Sequence, residues 1–467
     1  MKQMSNQIKI RWREALNQLW QRNRVHVSKD MSAAYRELAN IYSNSRVISF
    51  PSGAKAGYWV APQGWEVDSA TVTACDGSVI TDYGDCRLAL WTNSPPFEGI
   101  VNLDELKAHN ICSSKYPDRR IFHFRNQYRH EAPQWGFSIP HEIIEQLAEG
   151  NYTINIKTKF EDSFMEMVET RHSGQLSKTL LLVGHFDHPD MCLDGLVGCL
   201  AGHEAIERLK SHKTKLSYAM LSTVEIVGSV FYAKYEAKKR DIREAMFVAT
   251  AGAEAPLCYQ KTFDKVSAID NVMLHISKHM GEEVATFNFR EGPLGNDEIA
   301  FDTGFNSIPC GSIMRAPFDQ YHTDADTPDV VNTEKFEQTV VMIMRAINVF
   351  EKNAVLKPKF VDLPRLSAPE LGLYIDPISM SHNDQSKNIA EHPLFMRLDP
   401  NIHDVAFTKM HLLNNLMTYI GCLRDNQTTT LNIAEDLGLP FEVVDAYTDM
   451  WVEKGLLEKT WWNVWGD

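Results

Sequence analysis

Between residues 177 and 355, short apolar runs alternate with amphipathic stretches, and this alternation constrains the chain more than any other feature. "TLLLVGHF", "LSYAMLST", "AMFVATAG" and "SIPCGSIM" read as strands buried on both faces. "LVGCLAGHEAIERLK", "DKVSAIDNVMLHISKHM" and "TEKFEQTVVMIMRAINVFEKN" repeat apolar side chains at helical spacing. The pattern predicts an α/β fold, a mostly parallel (mixed) sheet with helices on both faces, over residues 166–360. Ligands of such sheets collect at the carboxyl ends of the strands. The residues that follow each apolar run therefore matter most.

The flanking sequence has a different texture. Residues 5–43 carry helical periodicity, so residues 1–50 are expected to be a helical part of the same domain. Residues 51–165 hold short β-like runs such as "GYWVAP", "ATVTAC" and "YTINIKTKF", with one helical piece, "PHEIIEQLAEG", and predict a small, mainly β unit. Residues 361–395 read as a linker. Residues 396–467 suggest two short helices, a Gly-Leu-Pro turn and a strand-like end, as in a winged helix-turn-helix.

Charge narrows the partners. With 61 acidic and 47 basic side chains, the net charge is −14, which argues against a nucleic-acid binder or a protein lying on anionic membrane. The tail repeats this bias, since residues 430–459 hold seven acids and two lysines, and protein contact or homo-oligomerisation is the expectation there. No run is long enough to span a bilayer, and the first residues lack a signal-peptide apolar core. Eight cysteines without CxxC pairing then read as reduced thiols of a cytoplasmic protein.

Three strand ends carry metal-binding chemistry. "TLLLVG" runs into "HFDHPDMCLD", which packs two histidines and three acids into ten residues. "LSYAMLST" is followed by Glu225, and "QYHTDADTPD" sets His322 beyond "SIPCGSIM". Imidazole and carboxylate groups converging from three strand ends suit zinc.

The order "GHFDHP", Asp194-Gly, "EIVGS" and "YHT" resembles the co-catalytic zinc aminopeptidase-like fold. The nearer resemblance is to a group of bacterial proteins with an aminopeptidase-like domain, an inserted β domain and a C-terminal winged helix. Some of these carry a polysaccharide-biosynthesis label. "FPSGAKAGYWVAPQGWEV" and "WGFSIPHEIIEQLAEGNYTINI" are similar to the inserted domain, while "HPDMCLDGLVG", "GNDE" and "GSIMRAPFDQYHTDAD" are similar to the catalytic one.

The resemblance implies Asp194 as a metal-bridging aspartate, Glu225 as a ligand and His322 as the last histidine. Either His185, in an HxD pattern with Asp187 orienting it, or His188, in "HP", would be the first histidine, with His188 favoured. Two positions depart from the pattern. Val224 stands where a second glutamate is usual, and Ala253 stands where an acid is usual, with Glu254 beside it as a weak substitute. One zinc ion is expected, with a second left open.

Other residues carry two readings each. Asp297 and Glu298 are either a helix cap with a favourable first-turn acid or a substitute base and substrate contact. Arg315 is a surface arginine or a grip on a substrate carboxylate or phosphate. Tyr321 flanks His322 and could touch substrate, and Asp324 or Asp326, chiefly Asp326, is expected to orient that histidine. Cys192 reads as packing. The expected function is zinc-dependent hydrolysis of a small aminoacyl or N-acyl amide, with Glu225, Asp297 or Glu298 taking the proton. The rival is a catalytically silent scaffold binding a metabolite or protein partner.

Overall fold

Strands Ser217–Thr223, Thr179–His185, Ile242–Val248 and Cys310–Arg315 lie side by side in that order and run parallel in a computed structural model of the chain. The structure describes residues 2–304, 307–375, 393–399, 402, 409–424 and 426–466. Every residue of Thr179–His185 and Ser217–Thr223 is buried, as the apolar centres at residues 180–183 and 219–221 favour. Full burial of each Leu or Val there is worth roughly 1.5–3 kcal/mol. Antiparallel strands extend the sheet: Phe164–His172 and then Ser45–Pro51 on one side, Leu257–Gln260 on the other. The sheet is therefore mixed.

The strand order carries the topology. From Thr179–His185 the chain moves one place over to Ser217–Thr223 through helix Leu196–Arg208. It then crosses back past its own start to Ile242–Val248 through helix Val227–Tyr235. Right-handed crossovers in opposite directions put these two helices on opposite faces. The reversal falls at the carboxyl end of Thr179–His185, on the side of Ile242–Val248, and open α/β sheets bind ligands in the crevice at such a point. Helix Leu196–Arg208 sits close to the sheet because Gly198 lets it. A Cβ there would come within 2.2 Å of the Val248 carbonyl.

Two compact units divide the chain, Met1–Lys265 with Phe287–Val340, and Val266–Thr286 with Val341–Asp467. The first contains the parallel strands, the N-terminal helices Lys2–Trp20 and Lys29–Ile41, and a four-stranded antiparallel sheet. That smaller sheet, ordered Val79–Asp82, Gly64–Ala74, Asn151–Glu161 and Phe97–Asn102, closes over its own core of Trp65, Val72, Phe137 and Ile154. The helix expected in "PHEIIEQLAEG" shrinks to His141–Ile144. Strands Ser45–Pro51 and Phe164–His172 straddle the expected borders at 50 and 165, so the main sheet claims both ends of the small β unit.

In the second unit, helices Leu413–Gly421, Thr430–Leu437 and Phe441–Glu453 precede strand Leu457–Trp461, which pairs antiparallel with Ala354–Pro358. Thr429 and Asn432 form a capping box on the middle helix, and Gly438 ends it at φ 64°. Of the expected linker, residues 376–392 lie outside the described residues. No described helix is long and apolar enough to cross a membrane.

Candidate metal centre

Asp194 is the hub of the crevice. It precedes helix Leu196–Arg208, whose N-terminal backbone dipoles favour a carboxylate there. Gly195 makes the turn at φ 102°, and a Cβ on it would meet the Asp187 carbonyl at 2.8 Å. Three imidazoles approach the carboxylate: His185 Nε2 at 3.1 Å from Oδ1, His322 Nε2 at 2.9 Å from Oδ2, and His188 Nδ1 at 3.4 Å from Oδ2. Glu225 Oε2 lies 3.6 Å from His188 Nε2. His188, Ile226 and His322 all hold positive φ, at 91°, 55° and 55°. Such strained backbone persists only where the surroundings over-determine it.

Electrostatics follow from burial and proximity. Burial alone would strip His188 of its proton, but Asp194 and Glu225 outweigh it and raise its pKa to about 10. His185 is likewise raised, against burial, by Asp194 and Asp297. Burial opposes charge on Asp194, yet His188, His185 and His322 hold its pKa well below the usual carboxylate range. Glu225 is lowered too, against burial, by His188.

His185, His188 and Asp194 each offer a ligand atom within 4.8 Å of the others, a spacing that small side-chain shifts close to bonds near 2.0–2.2 Å. Both ring nitrogens of His188 and Oδ2 of Asp194 are buried and, although charged neighbours stand close, make no aligned hydrogen bond among the described residues. Orphaned buried polar atoms need an explanation, and a cation supplies one. His185 differs, because both of its nitrogens are engaged, by Asp194 and Asp297.

Several expectations need correction. Asp187 does not orient His185. It faces His26 Nε2 at 3.1 Å and accepts a hydrogen bond from the Glu225 amide at 2.9 Å. Asp297 takes the orienting part, 3.0 Å from His185 Nδ1, and its other oxygen accepts from the Ile226 amide and the Ser229 hydroxyl. It therefore caps helix Val227–Tyr235, not its own, and its full burial keeps it from a substrate. Glu298 is fully buried and braces its loop through Arg290, Gln260 and the Asn296 amide.

Asp326 leaves His322 alone. It receives the Leu193 and Asp194 amides at 2.8 and 3.0 Å, and burial raises its pKa to about 7. Asp324 accepts from the Arg120 amide. Arg315 is no surface grip, because it is wholly buried and donates to Ala255, Lys335, Gln338 and Thr339. Glu254 is exposed and bonded to Asn332, outside the cluster. Tyr321 stacks on His322 with ring centres 3.9 Å apart, and Cys192 is buried packing.

Four residues escaped sequence reasoning. Arg24, wholly buried, donates to the carbonyls of Phe186, His188 and Met191 and so fixes the loop that presents His188. His26 follows it into the cluster. Tyr128, from the small β unit, donates its hydroxyl to Glu225 Oε2, and Asn296 donates its amide to Oε1. The "GNDE" motif pointed to the right loop, yet it is Asn296 that reaches Glu225. No periodicity or motif marks the other three.

Comparison with known proteins gives a consistent outcome. A family model described as "Domain of unknown function (DUF4910)" matches residues 13–353. A Clostridium acetobutylicum protein, whose name proposes polysaccharide biosynthesis and gives it an aminopeptidase-like domain, is 28% identical over 326 residues, 69% of this chain and 72% of the relative. A crystal structure from C. acetobutylicum, whose name proposes a peptidase, superposes with a TM-score of 0.78 at 22% identity over 98% of both chains. A zinc aminopeptidase from Bacillus subtilis superposes with a TM-score of 0.54 at 13% identity, over 73% of this chain and 94% of that one.

Proposed function

The chain belongs to the DUF4910 family and carries the zinc aminopeptidase-like fold, and from this premise we propose that it is a zinc-dependent amide hydrolase acting on a small aminoacyl or N-acyl substrate. One observation carries the reading: a buried aspartate ringed by three imidazoles, with the nitrogens of one of them making no aligned hydrogen bond among the described residues. His188, Asp194 and His322 would hold the ion, with His185 steadying Asp194 from behind. Zinc held there supplies Lewis acidity, polarising an amide carbonyl and easing deprotonation of water.

Glu225 is the proton acceptor. With Asp297 and Glu298 committed to other partners, it is the one proposed base whose carboxylate faces His188. Its lowered pKa keeps it ionised at neutral pH, as a base must be. Tyr128 and Asn296 each hold one of its oxygens, which fixes the direction of proton transfer. Buried Phe122 stands edge-on to His322 and Tyr321 stacks on the same ring, which holds that imidazole in place.

All eight cysteines are free thiols, which supports a cytoplasmic setting. The acidic tail favours protein contact, through a second copy or a partner, over nucleic acid.

The test is metal content followed by turnover. After zinc reconstitution the protein should retain close to one ion per chain or more, and less than about 0.3 would sink the reading. A panel of aminoacyl-arylamides and N-acyl amino sugars should then reveal turnover that Glu225→Gln lowers by about 10²–10⁴. A second reading, a silent metal-binding scaffold, is favoured by buried Val224 in the usual place of a second glutamate. It predicts metal retention without turnover across the panel.

A further inference from the structure

We infer that His26, Asp187 and Glu225 form a second cation site, separate from the Asp194 hub, taking a divalent transition-metal ion through one imidazole nitrogen and two carboxylate oxygens. One ligand atom from each lies within 4.8 Å of the other two, and all three side chains are buried. Arg24 ties the segment carrying His26 to the 186–191 loop, so the clamp that fixes His188 also delivers His26.

The local hydrogen bonding is incomplete in a way a cation would complete. His26 Nε2 stands 3.1 Å from Asp187 Oδ2, yet neither ring nitrogen nor that oxygen makes an aligned hydrogen bond among the described residues. A structural ion pair at this depth would be expected to align, because an unmade bond to a buried charged group costs about 1–3 kcal/mol or more. Asp187 is not free to turn, since its Oδ1 accepts from the Glu225 amide and aims Oδ2 at His26. Two carboxylates and one imidazole converge there, a donor set that a divalent ion accepts. Each Glu225 oxygen keeps acceptor capacity beyond the bond from Tyr128 or Asn296.

Mixed nitrogen and oxygen donors suit zinc, cobalt or manganese. His26 lies outside the aminopeptidase-like pattern, and the acid missing at Ala253 plays no part in this site. A cation bound here competes with the proton for Glu225, so excess metal slows the hydrolysis proposed above. That consequence rests on the proposed function, whereas the site itself is read by binding.

Zinc stoichiometry of the full-length protein, measured by elemental analysis after equilibrium dialysis, tests it. Wild type should bind two ions, and His26→Gln should bind one while keeping the wild-type far-UV spectrum. Asp187→Asn serves the same purpose where His26→Gln misfolds. Cobalt substitution should give two resolvable binding phases in wild type and one in either variant. One ion in wild type, or two in both wild type and His26→Gln, overturns the inference and leaves the hydrolase reading standing. No ion in wild type overturns both.

Discussion

Asp297 and His185, 112 residues apart in sequence, meet at 3.0 Å in the buried floor of the crevice, and the same carboxylate caps helix Val227–Tyr235. The ring that backs Asp194 and the helix that follows Glu225 thus share one acid. Asp297→Asn should disturb both at once. We expect zinc affinity to fall, by less than the roughly 10–100-fold typical of a direct partner of a metal ligand because Asp297 acts through His185, and unfolding free energy to fall by about 1–3 kcal/mol. Competition with a chromophoric chelator and urea denaturation read the two effects separately. An unchanged affinity would remove Asp297 from the centre.

Arg315→Gln separates a structural arginine from a substrate grip. The guanidinium is buried among the Ala255 and Lys335 carbonyls and the side chains of Gln338 and Thr339. Its loss should cost about 2–4 kcal/mol through unpaired acceptors and leave KM within about twofold for whichever amide is turned over. A large rise in KM without loss of stability would restore the substrate role.

Tyr128→Phe deletes one hydroxyl next to Glu225 and little else. Turnover should drop about 10–100-fold with KM nearly unchanged, while the thermal midpoint moves by no more than a few degrees. Equal kcat in mutant and wild type would count against a part for this tyrosine in positioning the base.

His203 gives the pH dependence. It is wholly buried, 2.8 Å from the Ser222 hydroxyl and stacked on Tyr42, and burial drives its pKa from 6.5 to about 3. The unfolded chain therefore takes up a proton that the folded chain refuses. The contribution is intact above pH of about 6.5 and is lost as pH falls towards 3, at about 1.4 kcal/mol per unit. His203→Gln should flatten the wild-type stability profile by that slope between pH of about 6.5 and 5, as measured by urea unfolding. Identical slopes would refute the assignment.

The parallel core was legible because strands buried on both faces read as unbroken apolar runs. Ser45–Pro51 was not, because an edge strand mixes buried and exposed positions and this one has one buried residue in seven. Phe164–His172, paired on both sides, was hidden by the polar residues Glu166, Glu169, Thr170, Arg171 and His172 that break its apolar run. The hub residues Asp194, His188 and His322 sat beside strand ends and glycines that announce a ligand crevice. Arg24, His26 and Tyr128 lie in aperiodic segments, and their parts arise from contacts spanning about a hundred residues or more. The acids at 297 and 298 were overvalued for chemistry because sequence shows charge but not burial, and both are closed off from solvent.

The small β unit does more than decorate the sheet that hosts it. Its Phe122 amide donates to the His322 carbonyl at 2.9 Å, Ile121 bridges to Thr323, and Tyr128 reaches Glu225. A chain trimmed of residues 51–165 would keep every acid and imidazole of the hub yet lose the wall against which His322 and Glu225 are set. Grafting this unit from a distant relative would change what the crevice admits while leaving its ligands untouched.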